Sequence, residues 1–360
     1  MSMDVDQVKT LRNVIDQIDR DLMELLSRRL EVAREIGAAK EGGAVYDPKR
    51  EEALVKRLAG ENPHLGEPLI RAVMGEIIGA CRAVQGPFRV VLMGPKWSYS
   101  HEVAEKVFGS SWDPVFVRSP REALCKVAVG GGDAAVVPIE NSTEGAVHST
   151  LDGLMELKGA VWIAREARAR VEHCLANQGD DLGRIRRVYS HPQAMSQCWR
   201  WLSQNLPQAE LVEANSTSEG ALRALDEGEA AVCGIRCARE MGFRMVIPGI
   251  QDSPLNTTRF IVVTRREERE ELRYGDRTSI LFTLPHRPGS LCEALGALSE
   301  HKINLMMIQS RPIPKNPFEY AFFADIDGGL GDPKVEAAVN EMAKRTSDLT
   351  VLGSYCSLEI

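Results

Sequence analysis

The first helix that this sequence predicts carries charged residues where apolar residues are expected. Its apolar stripe repeats at alternating spacings of four and three residues and comprises Leu11, Ile15, Ile18, Leu22, Leu25, Val32 and Ile36. Continuing that spacing from Leu25 leads to Arg29, and Arg12 and Lys40 flank the same stripe. Any one of these side chains could extend its charged end to water, because lysine and arginine have long apolar stems.

Polar residues also interrupt the apolar faces of the next two predicted helices. Glu51 lies one turn before Leu54, and the apolar residues of the third helix lead to Cys81 and then Gln85. Because unpaired buried charge is costly, charged and amide side chains on facing helices predict a shared polar pocket. A basic pocket with one acid suits a small substrate with two carboxylates. It holds no obvious nucleophile, which predicts catalysis by positioning and electrostatics.

Hydroxyl and amide side chains follow predicted strands in the middle of the chain. They lie in PIENSTEGAVHSTLD, YSHPQAMSQC and IQDSPLNTTRFIVV. A further strand, loop and helix run through VVLMGPKWSYSHEVA, where we expect the helix to open at Ser100 and the Ser100 side chain to cap it. The free N–H groups of such a junction can bind an anion. In RPGSLCEAL, Gly289 and Ser290 open a helix that could likewise receive a carboxylate.

Three regions of different character position these residues. Residues 1–86 are helical by pattern, 87–270 alternate short β-rich runs with helical segments, and 274–360 follow the order βαββαβ. A charged connector, from Arg265 to Arg277, joins the last two regions.

The helical region predicts a dimer. A helix from about Asp6 to Glu41 would be about 54 Å long, too long for two short helices to cover its apolar stripe. Asp47-Pro48 is typical of an N-cap followed by the first residue of a second helix, and a third helix is expected over about Glu67 to Gln85.

The middle region contains an internal repeat. Gly132–Val136, ending at Ile139, is matched by Gly228–Val232, ending at Ile235, and each follows a helix that begins near a serine and a glutamate. The repeat predicts two similar α/β lobes with a small-molecule cleft between them.

Composition excludes several classes of protein. The net charge of -7 argues against a general nucleic-acid binder, and the apolar runs are only strand-sized, which argues against a membrane span. No secretory signal is visible at the N-terminus. The eight cysteines lack CxxC or metal-ligand spacing, so we expect buried thiols in a reducing cytosol and no metal or other cofactor.

The helical region resembles the all-helical chorismate mutases, which are intertwined dimers. The resemblance rests on LRNVIDQIDRDLMELLSRRLEVAREIGAAK, VYDPKRE and IIGACRAVQ. It implies that Arg29 and Arg50, with Arg12 from the second chain, bind the two carboxylates of chorismate.

The same resemblance implies roles for the remaining polar residues. Lys40 and Gln85 would face the ether oxygen as its bond breaks, and Asp47 and Glu51 would hold the ring hydroxyl. Cys81 stands where the bacterial fused enzymes have a serine, and a thiol is a weaker hydrogen-bond partner.

The middle region resembles prephenate dehydratase, which converts prephenate to phenylpyruvate without a metal. The three strand–loop segments quoted above carry the resemblance, which implies a two-lobed fold like that of periplasmic binding proteins. It names Thr258, in the Thr258-Arg259-Phe260 motif, as the main catalytic residue. Other residues that it places in or near the site are Asn141, Ser190, Gln197, Glu140, Ser142, His191, Thr217 and Ser98.

The last region resembles an ACT regulatory domain, which binds an amino acid between paired domains. In the dehydratases that effector is phenylalanine. The residues implied by the two motifs, RPGSLCEAL and INLMMIQSRPI, are Gly289, Ser290, Leu291, Asn304, Leu305, Gln309, Ser310, Arg311 and Pro312. Gln309 replaces the glutamate that commonly begins the second motif, and an amide suits an ammonium group less well.

These resemblances predict a cytoplasmic, homodimeric or tetrameric bifunctional chorismate mutase–prephenate dehydratase with feedback by phenylalanine. One alternative is a chain with a single live activity, since Cys81 departs from the mutase pattern and Trp97-Ser98 stands where the dehydratases have Gly-Thr. Trp97 is expected to form a bulky wall at the cleft mouth. A second alternative is a non-catalytic amino-acid sensor, although such a sensor would need neither Thr258-Arg259 nor the charged helix stripe.

Overall fold

The computed structural model describes residues 5–40, 45–266, 274–313 and 319–360. The chain forms two compact units, Met1–Phe88 with Phe108–Asp113, and Arg89–Val107 with Pro114–Ile360. None of the helices in the described part of the chain has the length and apolar character needed to cross a membrane.

The first unit contains three helices, α1 (Val5–Ala39), α2 (Pro48–Glu61) and α3 (Glu67–Ala83). The expected end of α1, at Glu41, lies outside the described residues. Asp47 caps α2 as predicted, because its carboxylate accepts the backbone N–H of Arg50 at 3.0 Å and Pro48 is the first helical residue.

The apolar stripe of α1 remains exposed in the single chain. Leu11, Ile15, Ile18, Leu22 and Leu25 each expose more than half of their surface. A chain does not gain stability from such a stripe until another surface covers it.

The second unit begins with a first lobe, whose sheet also includes one strand from later in the chain. Its elements are β1 (Arg89–Met93), α4 (Tyr99–Phe108), β2 (Asp113–Val117), α5 (Pro120–Ala128), β3 (Ala134–Asn141), β4 (Gly145–Ala146), α6 (His148–Glu156) and β5 (Val161–Arg170). The helix α4 begins one residue before the predicted Ser100.

The second lobe follows, and the chain then returns to the first. Its elements are β6 (His173–Asn177), a 3-10 helix (Leu182–Arg184), β7 (Arg187–Ser190), α7 (Pro192–Gln197), α8 (Trp199–Asn205), β8 (Glu210–Glu213), α9 (Thr217–Arg223), β9 (Glu229–Gly234), α10 (Ile235–Glu240), β10 (Met245–Pro248) and the returning strand β11 (Thr257–Arg265).

The internal repeat predicts this pair of lobes correctly. The first lobe orders its strands β3-β1-β2, and the second orders them β9-β7-β8. Strands β1 and β3 pair in parallel, as do β7 and β9. Ser119 and Ser216 cap the equivalent helices α5 and α9 by accepting the N–H of Glu122 and of Glu219.

The last region has the predicted βαββαβ order, followed by one further strand. Its elements are β12 (Arg277–Thr283), α11 (Ser290–Glu300), β13 (Leu305–Pro312), β14 (Tyr320–Asp327), α12 (Pro333–Lys344), β15 (Asp348–Tyr355) and β16 (Ser357–Glu359). Phe318, the expected start of one strand, and residues 267–273 of the connector lie outside the described part.

The sheet of this last region continues into the first lobe. The strand order is β13-β14-β12-β15-β5-β11-β3-β1-β2, and β16 also pairs with β5. One face of β12 and β14 contributes Leu281 and Phe323 to the same buried cluster as Leu151 and Leu154 of α6. The strand β13 lies at the edge of this sheet.

Candidate active sites

A cavity of about 330 Å³ lies among the three helices of the first unit. Seven of the eight residues predicted for the polar pocket line it, namely Arg29, Lys40, Asp47, Arg50, Glu51, Cys81 and Gln85. The eighth, Arg12, is exposed elsewhere on α1. Three of the charges that interrupt the apolar stripes, Arg29, Lys40 and Glu51, therefore converge on one cavity.

Close packing of α1 against the end of α3 positions the pocket side chains. A Cβ atom on Gly37 would lie 2.8 Å from Cα of Gln85, so only glycine permits this approach. The guanidinium of Arg29 contacts Sγ of Cys81 and lies 3.5 Å from the carbonyl oxygen of Ile77. The Gln85 side-chain nitrogen donates to the Cys81 carbonyl, while its buried Oε1 finds no partner among the described residues.

The sequence interpretation missed Arg82, which also lines this cavity. It is 2% exposed, its Nη2 donates to Oε1 of Glu51 at 2.6 Å, and its guanidinium lies 4.7 to 5.4 Å from the ring centroids of Tyr46, Phe88 and Phe108. Cation–π contact and the carboxylate together satisfy a buried charge. Arg82 lies four residues after Ile78 on the same face of α3, and this spacing is the sequence signal that points to the cavity.

A second cavity, of about 290 Å³, lies between the two lobes of the other unit. Seven residues predicted for the cleft line it: Ser98, Asn141, His191, Gln197, Thr217, Thr258 and Phe260. Residues in the first turns of α4, α7 and α9, namely Tyr99, Gln193 and Thr217, also line it, so the positive ends of helices from both lobes face the cleft.

Thr258 is held in the cleft by buried amides. Nδ2 of Asn141 donates to Oγ1 of Thr258 and to Oδ1 of Asn256, both at 2.8 Å. Nδ2 of Asn256 donates to Oε1 of Gln197 at 2.9 Å, and Nε2 of His173 lies 3.0 Å from the same oxygen. Asn256 and His173 were not among the predicted residues, although Asn256 lies within one of the quoted segments.

Burial governs the ionisation of the imidazole in this cleft. His173 is 2% exposed, and burial lowers its pKa, although the hydrogen bond to Gln197 acts in the opposite direction. The neutral imidazole is therefore favoured.

Four predicted cleft residues lie elsewhere. Ser190 is fully buried and donates to the carbonyl of Val232, while the Ser142 hydroxyl donates to the carbonyl of Leu255. Arg259 points to the opposite face of β11 from Thr258, as the alternation of side chains along a strand requires. Glu140 is also turned away, because its carboxylate accepts from Arg259 at 2.7 Å.

Arg259 instead joins the cleft strand to the last region of the chain. Its guanidinium donates to Glu166 at 2.6 Å and to Asp325 of β14 at 2.5 Å. Burial raises the pKa of Glu166, but Arg259 and Arg277 outweigh it and hold that pKa below its usual value. Glu166 is therefore a buried, ionised and fully paired carboxylate.

The loop before α4 differs from the expectation in two ways. Ser98 caps the helix: its Oγ accepts the N–H of His101 at 3.4 Å, whereas Ser100 lies buried in the first turn. Trp97 is not among the residues that line the cleft, and it packs against the buried cluster of the second lobe that includes Tyr189 and Phe243. Its φ is 64°, in the left-handed region that glycine favours.

The same helix carries an acid against the second lobe. Burial raises the pKa of Glu102 to about 7, while Arg236 and Lys106 act in the opposite direction. Its Oε1 is buried and has no hydrogen-bond partner in the described part of the chain. Arg236 instead pairs with Glu105, one turn further along α4.

The predicted effector residues divide between a cavity and a strand. Ser290 and Leu291 line a cavity of about 780 Å³, and Gly289 precedes α11 with a φ of 85°. Leu305, Gln309, Ser310, Arg311 and Pro312 lie on the edge strand β13, and Asn304 precedes it. Arg311 donates two hydrogen bonds of 2.8 Å to Asp152 of α6.

Three families match this chain in succession. Residues 11–86 match chorismate mutase type II, residues 90–268 match prephenate dehydratase and residues 278–343 match the ACT domain. Bifunctional chorismate mutase/prephenate dehydratases from Aquifex aeolicus and Neisseria gonorrhoeae are 34% and 35% identical to it. The alignment with the first covers 98% of each chain, and with the second 96% of this chain and 95% of the other.

Solved prephenate dehydratases are similar to about three quarters of this chain. The prephenate dehydratase from Arthrobacter aurescens in complex with L-Phe has a TM-score of 0.67 at 32% identity, covering 74% of this chain and 89% of that one. The prephenate dehydratase from Staphylococcus aureus has a TM-score of 0.64 at 26% identity, covering 74% and 100%.

Proposed function

Because this chain belongs to the family of bifunctional chorismate mutase/prephenate dehydratases, we propose that its two activities reside in the two cavities described above. The protein rearranges chorismate to prephenate, then dehydrates and decarboxylates prephenate to phenylpyruvate, and its ACT domain supports feedback by phenylalanine. The names of its relatives favour two live activities over the single-activity and sensor alternatives.

The rearrangement takes place in the helical cavity. Arg29 and Arg50 bind the substrate carboxylates, and Arg12 of the second chain in a dimer also binds them. Lys40 and Gln85 stabilise the negative charge that develops on the ether oxygen as its bond breaks. The convergence of seven predicted side chains on one cavity carries this assignment.

Two acids hold the ring hydroxyl of chorismate in this scheme. Glu51 is fixed by Arg82, which leaves its second carboxylate oxygen to accept from the hydroxyl. Asp47 contributes from the start of α2 while it caps that helix. Cys81 supports the site by its contact with Arg29.

The dehydration takes place in the cleft between the lobes. Thr258 accepts a hydrogen bond from Asn141, which leaves its own O–H free to donate a hydrogen bond to the departing hydroxyl. The carbon–oxygen bond breaks, and the departing hydroxyl takes a proton from solvent and leaves as water. The electrons of the bond to the leaving carboxylate enter the ring, and that carboxylate is released as carbon dioxide. The helix starts that line the cleft suit a substrate with two carboxylates.

Phenylalanine binds beside the edge strand β13 and the start of α11. Two contacts can transmit its binding to the cleft: Arg311 pairs with Asp152 of α6, and Arg259 pairs with Asp325 of β14. Feedback requires that phenylalanine favour one of two states of the enzyme, and these ion pairs lie where such states would differ.

We also propose a homodimer formed through α1, or a tetramer built from two such dimers, in a cytoplasmic setting. The exposed apolar stripe of α1 and the position of Arg12 support the dimer. Eight free cysteines, six of them buried, are compatible with a reducing compartment.

One experiment tests this function directly. The purified protein is given chorismate, and prephenate and phenylpyruvate are followed separately, with and without phenylalanine. We expect phenylpyruvate to form through prephenate and phenylalanine to slow that second step. Prephenate that accumulates without phenylpyruvate would leave only the mutase, and no turnover of either substrate would favour the sensor.

A further inference from the structure

A continuous row of buried hydrogen bonds crosses the cleft from α4 to Thr258. The Tyr99 hydroxyl lies 3.1 Å from Nδ1 of His173, whose Nε2 lies 3.0 Å from Oε1 of Gln197. The row continues through Asn256 and Asn141 to Thr258, as described above. It joins β6 at the start of the second lobe to β3 and β11 of the first.

The backbone fixes the direction of this row at one end. The backbone N–H of Thr143 can only donate, and it donates to Oδ1 of Asn141 at 3.0 Å. Nδ2 of Asn141 must therefore face Asn256 and Thr258. It follows that Oδ1 of Asn256 accepts and that its Nδ2 donates to Gln197.

The imidazole of His173 fixes the other end. Oε1 of Gln197 is an acceptor, so Nε2 of His173 must carry a proton. Nδ1 of the neutral imidazole is then an acceptor 3.1 Å from the Tyr99 hydroxyl, and it shares the single proton of that hydroxyl with the carbonyl oxygen of Glu172 at 2.8 Å. Tyr99 keeps this proton because burial raises its pKa. If the side-chain amide of Asn141, Asn256 or Gln197 were flipped, two donors or two acceptors would face each other in a buried site, which is costly.

We propose that His173 and Asn256 are positioning residues for the dehydratase, which hold Gln197 and Asn141 in the one arrangement that leaves the Thr258 hydroxyl proton free for the substrate. This inference rests on the proposed function of the cleft. His173 and Asn256 are 2% and 1% exposed, so water cannot readily replace the bonds they make. Neither residue needs to contact the reacting atoms.

The test uses the full-length protein and compares His173→Leu with His173→Gln, with prephenate as the substrate. His173→Leu removes one of the two donors to Oε1 of Gln197 and leaves Asn256 as the other, so we expect kcat to fall about 10-fold, the order of one lost buried hydrogen bond. We expect KM to change far less, because the row acts on the reacting hydroxyl. His173→Gln should recover most of kcat, since its amide can still donate. His301→Leu, at the end of α11, is the control.

A double-mutant cycle separates positioning from general damage. In a Thr258→Ala background, His173→Leu should cause no further loss of kcat, because the hydroxyl that the row positions is gone. Equal fold losses in both backgrounds, or no loss in His173→Leu, would overturn the proposal.

If His173→Leu does not fold, Asn256→Asp tests the same proposal. The carboxylate can accept from Asn141 but cannot donate to Gln197, so kcat should again fall, and unchanged kcat would overturn the proposal. Calorimetric binding of phenylalanine reports whether the second unit is folded in each variant. Failure of the wild-type protein to convert prephenate would instead reject the proposed function.

Discussion

At the scale of single residues, Trp97 shows how backbone and packing effects compete. Its positive φ costs about 1 kcal/mol relative to glycine, whereas its indole packs against the core of the second lobe, worth about 2 kcal/mol or more. We expect Trp97→Gly to lower the free energy of unfolding of the second unit, measured in urea, and to change the KM for prephenate little. A more stable variant would show that backbone strain dominates.

Glu102 makes the stability of the second unit depend on pH. Its pKa is about 7 in the folded protein and about 4.3 in an unfolded chain, so the folded state binds the proton more tightly. The resulting stabilisation is complete below pH 4.3 and is lost as the pH rises to about 7. The linkage relation limits it to about 4 kcal/mol.

The free energy of unfolding, measured by urea titration, should therefore decrease less between pH 5 and about 7.5 in Glu102→Gln than in the wild type. The variant should exceed the wild type in stability at the upper end of that range, because no charge is buried there. Glu240→Gln, at the exposed end of α10, is the matched control. An unchanged pH profile in Glu102→Gln contradicts this account.

At the scale of elements, β13 connects the effector motif to α6 through Arg311 and Asp152. Asp152→Asn removes the negative charge and one of the two oxygens that accept from Arg311, without altering any residue of the effector motif. We expect phenylalanine still to bind, by calorimetry, but to inhibit the dehydratase less at saturation, since coupling of 1–3 kcal/mol is typical. Glu156→Gln, on the same helix, should keep full inhibition. Full inhibition in Asp152→Asn would exclude this ion pair as the link.

The elements could be predicted from the sequence where the signal was local. The Asp47 cap and the repeat of the two lobes are carried by short segments, and the structure confirms both. The charges on the α1 stripe are also a local pattern, and two of them, Arg29 and Lys40, line one cavity. The orientation of Arg259 was also available from strand alternation, but the resemblance grouped it with Thr258. His173 and the pairing of β15 with β5 depend on contacts between distant segments, which no local pattern reports.

At the scale of the whole molecule, the exposed stripe of α1 predicts that the mutase depends on dimerisation. Leu22→Glu places a charge in the centre of that stripe, so we expect weaker association by light scattering and loss of most mutase activity, because Arg12 no longer reaches a second chain. Ser27→Glu adds the same charge away from the stripe and should behave as the wild type. Unchanged mutase activity in Leu22→Glu would contradict a shared site.

The central claim is that one chain carries two separate active sites, and a crossed substrate test addresses it most directly. Arg29→Ala should lose mutase activity about 100-fold or more, yet convert supplied prephenate at the wild-type rate. Thr258→Ala should convert chorismate to prephenate normally and accumulate it. Arg57→Ala, an exposed arginine of α2, should retain both activities. Loss of both activities from either single change, in a protein that remains folded, would contradict the account.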